Sequence, residues 1–403
     1  MPSDALKDKV QFPGGCWPTA QQERLLHTAL SQDASALAAW DAWRAEADID
    51  ALDQGSYRLL PLAYRNLARF GASDPLMPRL KGIYRRAWYE NHMLFHKRAA
   101  LLSAFGAAGI PTLLLKGAAV APVYYRDYGL RPLGDFDFLV PTTQAQAALR
   151  VLDDLGFRSS ERRSQTFKPV YLAAVHGFPF ADAEDREVDL HWHVLAESCE
   201  PDADDDFWAA ARPWTIETAV THVLSPADQL LHTCVHGVRW NPIPPMRWVA
   251  DAITILRAAP DLDWERLVEQ TRRRRLVIQM REALDYLARA FAAPVPASVL
   301  ARLRALPVSR SEQQEYNVLT QPQEALPAPR RVWLHYRRYV RSARPTYLWE
   351  QPLGFARFLQ YTWGLDRMAD IPAYVARGGA SGRLQSTANP TASRTYTVEP
   401  SLQ

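Results

Sequence analysis

The chain has 403 residues, 48% hydrophobic and 23% charged, the mixture of an ordinary globular protein rather than a disordered or fibrous one. That length suggests two or three domains with enough core to hold without covalent staples. Lys+Arg of 47 against Asp+Glu of 44 leaves a net charge of +3, too small to argue for nucleic acid as an obligatory partner.

Three widely separated cysteines, Cys16, Cys199 and Cys234, give neither a disulfide framework nor a metal knuckle and fit a reducing, cytoplasmic setting. The segment MPSDALKDKVQFPGG lacks the apolar stretch of a secretory signal. No run approaches about 18 uncharged apolar residues, so no membrane partner is expected.

Residues 1–105 are read as a helical region. Ala, Leu and Trp recur at helical spacing from residue 19, with breaks at Pro61, at residues 71–78 and at Gly109. Residues 106–224 form a mixed strand-and-helix core. Its predicted elements are a buried strand TLLLK, a short helix or turn AAVAPVYYRDYG, a strand DFDFLVP and an amphipathic helix capped by Thr142 or Thr143. Strands near residues 171–175 and at 186–194 follow. Residues 225–372 return to helix, opened by Ser225 as a cap with proline in the first turn. Residues 373–403, rich in Gly, Ser, Thr and Pro, are expected to be disordered.

The most informative segment is LLLKGAAVAPVYYRDYGLRPLGDFDFLV. On a strand, side chains alternate between faces, so Asp135 and Asp137 point one way while Phe136 and Phe138 point into the core. Two carboxylates held this close repel each other, and a divalent cation between them reverses that cost; oxygen ligands suit Mg²⁺. In EVDLHWHV the apolar Val188, Leu190, Trp192 and Val194 share one face, and Asp189, His191 and His193 the other. If that strand lies beside the first, Asp189 becomes a third carboxylate. Three acids on adjacent strands, with Lys116 and Gly117 at a strand-to-helix turn, make a site for a metal-bound triphosphate.

The order Lys-Gly, then Tyr and Arg, then Gly-Asp-Phe-Asp-Phe-Leu-Val, then Val-Asp-Leu-His-Trp resembles the polymerase-beta-like nucleotidyltransferase superfamily. Within it the nearest likeness is to an uncharacterised bacterial group, over roughly residues 101–300. The resemblance implies an α+β core with a mixed sheet, flanked by helical regions. It also implies an enzyme that transfers an NMP from an NTP to a hydroxyl or phosphate acceptor, with Mg²⁺ (or Mn²⁺) as cofactor and pyrophosphate as co-product. Asp135, Asp137 and Asp189 would hold metal and carry catalysis, while Lys116, Gly117, Arg131 and His191 would bind the nucleotide. Where the superfamily has Gly-Ser this chain has Gly117-Ala118, and Lys116 is the candidate to replace the missing hydroxyl. A phosphotransferase, a toxin-like nucleotidylation of RNA or protein, and a non-catalytic nucleotide-binding protein are the alternatives.

Other residues invite blander readings. His193 is expected against solvent or a neighbouring helix. Asp228, His232 and His236 share one helix stripe and read as a polar packing face rather than a second metal site. Arg247, Trp248 and Asp251 follow on the next helix, with core packing expected for Trp248. The arginines at 272–275 and the basic, aromatic segment 330–345 read as solvated helix faces rather than an RNA surface. The acceptor, the choice among NTPs and the oligomeric state are not written in these motifs.

Overall fold

A computed structural model of the chain describes residues 14–159, 169–184, 187–322, 327–343 and 351–376. Most of the tail expected to be disordered, residues 377–403, lies outside these, as does the opening segment 1–13. The described chain is α+β.

Four helices come first: α1 (Ala20–Leu30), α2 (Ser35–Arg44), α3 (Gln54–Arg69) and α4 (Met77–Ala107). Thr19 and Gln22 close a capping box on α1, and Asp53 accepts the Ser56 amide at the head of α3. Pro61 does not break the chain as its residue type suggests. It lies inside α3, where the buried row Leu59, Leu60, Ala63 and Leu67 outweighs the hydrogen bond that proline removes.

The sheet follows, with β1 (Leu113–Leu114), β2 (Asp137–Leu139), β3 (Arg158–Ser159), β4 (Gly177–Ala181), β5 (Glu187–His191), β6 (Arg212–Ile216) and β7 (Ala219–Val223). Among the described residues the spatial order is β3-β4-β5-β2-β1-β7-β6. β2 runs parallel to β5 and antiparallel to β1. Short helices α5 (Lys116–Val120), α6 (Ala145–Asp154), α7 (Pro169–Ala174) and α8 (Asp205–Ala209) fill the connections, and a π-helical turn, Ala121–Tyr125, extends α5.

Three local expectations are corrected. The run at 171–175 is not a strand but lies in and just after α7: the Val175 amide bonds back to the Tyr171 carbonyl at 3.0 Å, and Trp192 Nε1 donates to the Val175 carbonyl at 2.7 Å. A short apolar run carries no period that separates strand from buried helix. Thr142 does not cap α6, because its hydroxyl donates to the Trp192 carbonyl at 2.8 Å. The strand expected over 186–194 pairs regularly only to His191; the Trp192 and His193 amides then turn to the His176 carbonyl.

The C-terminal helices are α9 (Pro226–Gly237), α10 (Arg247–Ala258), α11 (Trp264–Arg273), α12 (Val277–Phe291), α13 (Ala297–Ala305), α14 (Arg310–Leu319), α15 (Ala328–Ala343), α16 (Gln351–Thr362) and α17 (Ile371–Ala376). Ser225 caps α9 as expected. Two cores sandwich the sheet. On one face Leu113, Leu115 and Leu139 pack with α1, α3, α9, α10 and α12. On the other, Phe136, Phe138, Val188, Leu190 and Trp192 meet Phe95, Leu102 and Phe105 of α4, and Tyr339 and Phe358 of α15 and α16. Edge-on rings tie α4 to β2: Phe105 against Phe138 at 5.1 Å, Phe95 against Phe136 at 5.9 Å.

Candidate active site

Sheet register brings the acids together. Asp137 on β2 faces Asp189 on β5 directly, and Leu139 faces His191 two positions on. Asp137, Asp189 and His191 offer ligand atoms that all lie within 4.8 Å of one another, the one such group among the described residues. Asp135, two positions before Asp137 and outside the strand proper, stays out of this compact group, although its charge reaches Lys116, Asp189 and His191.

Lys116 follows β1, and its Nζ lies 2.7 Å from Asp137 Oδ1. Its φ of 44° is left-handed, a conformation that costs a side-chain-bearing residue free energy and tends to persist where surrounding structure holds it. The same Asp137 oxygen meets His191 Nε2 at 3.0 Å. Asp137 is 1% exposed. Burial alone would raise its pKa, yet Lys116 and His191 hold the carboxylate well below the ordinary range. Asp189 goes the other way: burial and the Asp137 charge push it well above. Burial likewise works against the charge of Lys116, but Asp137, Asp189 and Asp135 keep its pKa above the usual lysine value. Three carboxylates thus face one ammonium. The two facing carboxylates, with His191 Nε2 against Asp137, suit a divalent cation, which would offset their mutual repulsion.

Neutral imidazoles surround this cluster. His176 lies tilted against His191 with ring centroids 5.2 Å apart, and burial holds it well below its ordinary pKa. His232 is pushed down to about 3, by burial first and then by the positive charge of Lys116. His236 is lowered in the same way. The Asp228–His232–His236 stripe forms no further metal group among the described residues: Asp228 accepts from Arg266 at 2.9 and 3.0 Å. His193 is buried rather than solvated and bonds Asp204 at 2.6 Å, just ahead of α8.

Arg131 is buried, and its fork closes on Asp251 of α10 through two bonds of 2.9 and 2.8 Å, with Tyr125 donating to the same carboxylate at 3.0 Å. Gly117 is where that side chain passes: a β-carbon there would overlap Arg131 Nη1 and Leu133 Cδ2. Asn91 of α4 pins the loop, donating to the Tyr128 and Arg131 carbonyls at 2.6 and 2.9 Å and accepting the Leu133 amide at 3.1 Å. Sequence reasoning missed Asn91, and it placed Asp251 on the helix after the Asp228 stripe without its partner. Nothing local marks either residue, because the Asn91 contacts span 37 to 42 positions and the Asp251 contact spans 120. Ala118 packs in the apolar core below the sheet, fully buried, so a hydroxyl at that position would not face the carboxylates. Trp248 is a core residue, edge-on to Trp17 at 5.9 Å.

A search of curated proteins gives no match. Among solved structures, the crystal structure of an antigenic nucleotidyltransferase-like protein from Paracoccidioides brasiliensis is similar at 14% identity and a TM-score of 0.34, covering 54% of this chain and 94% of that one. The family described as uncharacterised nucleotidyltransferase matches residues 56–292, a span that takes in α3 through α12 and every residue of the carboxylate cluster. The chain belongs to that nucleotidyltransferase family.

Proposed function

We propose that the protein is a metal-dependent nucleotidyltransferase that moves an NMP from an NTP to a hydroxyl or phosphate acceptor and releases pyrophosphate. The observation that carries this reading is the direct pairing of Asp137 with Asp189 across parallel strands, with one ammonium against them. Asp137 and Asp189 would hold the cation, with His191 beside them and Asp135 adding charge. A bound cation there would offset phosphate charge and acidify an acceptor hydroxyl; Mg²⁺ suits the carboxylates, while the imidazole makes Mn²⁺ a reasonable alternative.

The chain's own groups divide the remaining work. Asp189, directly opposite Asp137 across the parallel strands, completes the acidic site and would help activate the acceptor hydroxyl as its proton leaves. Lys116 keeps Asp137 ionised and lies close enough to share its charge with a phosphate. Arg131, locked to Asp251, shapes the wall beside Gly117 and adds positive potential for the triphosphate. Buried, unpaired thiols at all three cysteines support a reducing, cytoplasmic setting, and among the described residues no helix is long and apolar enough to cross a membrane.

The test is to incubate the purified chain with each labelled NTP, Mg²⁺ or Mn²⁺, and a cell extract as acceptor source. Label transfer with pyrophosphate release is expected, and its loss in Asp137→Ala and Asp189→Ala. Transfer that persists in both variants would overturn the assignment, and ADP instead of pyrophosphate would make the protein a phosphotransferase.

A further inference from the structure

Beyond the carboxylate cluster, on the Asp135 side, three guanidinium groups come together from separate parts of the chain. Arg131 is already satisfied by Asp251. Arg247 is not: half-buried in the first turn of α10, it makes no hydrogen bond or ion pair among the described residues. It stands four positions before Asp251, hence on the same helix face, close enough for the Arg131 charge to bear on it. Arg58, on α3, reaches the backbone just ahead of Asp135, where a β-carbon on Gly134 would lie 2.7 Å from Arg58 Nη2.

The start of α3 meets the start of α10, with Ser56 Oγ 3.6 Å from Met246 Sδ, which brings together the turns that carry Arg58 and Arg247. Their crowding has an electrostatic signature. Burial, then the charges of Arg58 and Arg131, push Arg247 down to about 9, against the weaker pull of Asp251 and Asp135. Evenly matched packing does not leave a guanidinium so placed; an arriving anion relieves both costs at once. The first turn of α10 has no side-chain cap, so its amide groups add to the positive potential.

We propose that Arg58 and Arg247 form a phosphate-binding subsite beside Gly134 and Asp135, separate from Lys116, which takes a phosphate group of the reacting pair. The shared chemistry is a phosphate; its source is the nucleotide's own tail or a phosphorylated acceptor. Its place in catalysis rests on the nucleotidyl-transfer reading, whereas anion binding does not and can be measured without metal.

The experiment is calorimetric titration of the full-length protein with inorganic phosphate, with tripolyphosphate, and with ATP plus Mg²⁺, for wild type, Arg58→Gln, Arg247→Gln and the double variant. At least a tenfold weaker affinity for phosphate and tripolyphosphate is expected in the double variant, without metal. Arg247→Gln, free of anion, should melt no lower than wild type, because it removes a crowded charge. Arg247→Lys, which keeps charge but not the planar fork, should bind more weakly than wild type and serves if the glutamine variants do not fold. A parallel fall for ATP assigns the subsite to the nucleotide tail. ATP binding retained, with loss of phosphate binding to the ATP-saturated protein, assigns it to the acceptor. Unchanged phosphate and tripolyphosphate affinity in a folded double variant overturns the proposal, as does a wild-type protein that binds neither. Failure of the catalytic reading would appear instead in the Asp137→Ala assay, with anion binding intact.

Discussion

At the scale of single residues, Asp137 and Asp189 are the same chemical group shifted in opposite directions. Asp137 carries a charge held by Lys116 and His191, while Asp189 is driven toward its neutral form by burial and by Asp137. Their amide variants should therefore differ in the absence of metal. Asp137→Asn strips a buried ammonium of its partner and should cost about 1.5–3 kcal/mol; Asp189→Asn replaces a carboxylate whose ionisation burial and the Asp137 charge disfavour by an isostere and should cost less. Urea unfolding in the presence of a chelator measures both, and the reverse order would refute the assignment of charge. Gly117→Ala makes a second case. The added methyl overlaps Arg131 and Leu133, so a loss of about 1–3 kcal/mol is expected from overpacking, and a crystal structure of the variant should have Arg131 displaced from Asp251. Unchanged stability would mean that the Arg131 side chain has room to spare. The alternation DFDF was enough to read which way Asp137 and Phe138 point, and EVDLHW enough to offer Asp189 as its neighbour. That Lys116 bonds Asp137, or that Arg131 finds Asp251 at 120 positions' distance, is set by packing that no local pattern carries.

Elements follow the same division. Helices with long periodic faces, α1 through α4 and α9 through α12, stand where spacing puts them, whereas β4, β6 and β7 did not stand out from sequence. β4 and β6 contain Pro179 and Pro213, residues that ordinarily demote a strand; β4 is held between β3 and β5, and β6 lies at the sheet edge against β7. The basic, aromatic segment also has a packing role, since Tyr339 of α15 is buried with Phe358 of α16. His335 joins this pair to the following turn: its Nε2 accepts the Trp363 indole N–H at 3.1 Å, which requires an unprotonated ring. Burial, then Arg338 and Arg331, push its pKa down to about 3. A histidine depressed in the folded state contributes stability that is complete above its unfolded pKa of about 6.5 and is lost as pH falls from there toward 3. The attachment of α15 and α16 should thus weaken by up to about 1.4 kcal/mol per pH unit in that window. Limited proteolysis between pH 7.5 and 4.5 should find these helices cleaved progressively faster, and less steeply so in His335→Gln, which keeps an acceptor but does not titrate. An identical profile in the variant would remove His335 as the cause.

On the scale of the whole molecule, the helical regions are not accessories to a separate catalytic unit. Leu25, Leu26, Trp40 and Trp43 from the N-terminal helices, Leu113 and Leu139 from the sheet, and Val299 and Leu303 from α13 belong to one continuous core, and Asn66 of α3 fastens α1 by donating to the Thr28 and Ser31 carbonyls at 2.8 and 2.9 Å. The family match begins at residue 56 and ends at 292, so cutting there removes several fully buried large side chains. At about 1.5–3 kcal/mol each, their loss is on the order of 10 kcal/mol, comparable with the entire stability of a domain. Fragment 56–292 should therefore be unfolded, or an expanded state that binds a hydrophobic dye and lacks near-ultraviolet dichroism, while the full chain unfolds these regions together. A fragment that melts cooperatively within a few degrees of the full chain would contradict this. Arg58 rides on α3, whose buried face rests on α1, and Arg247 rides on α10, which packs in the same core. A fragment that loses the core loses the geometry that sets these two guanidinium groups beside Asp135, so phosphate binding should disappear with the fold rather than survive in the segment that contains both residues.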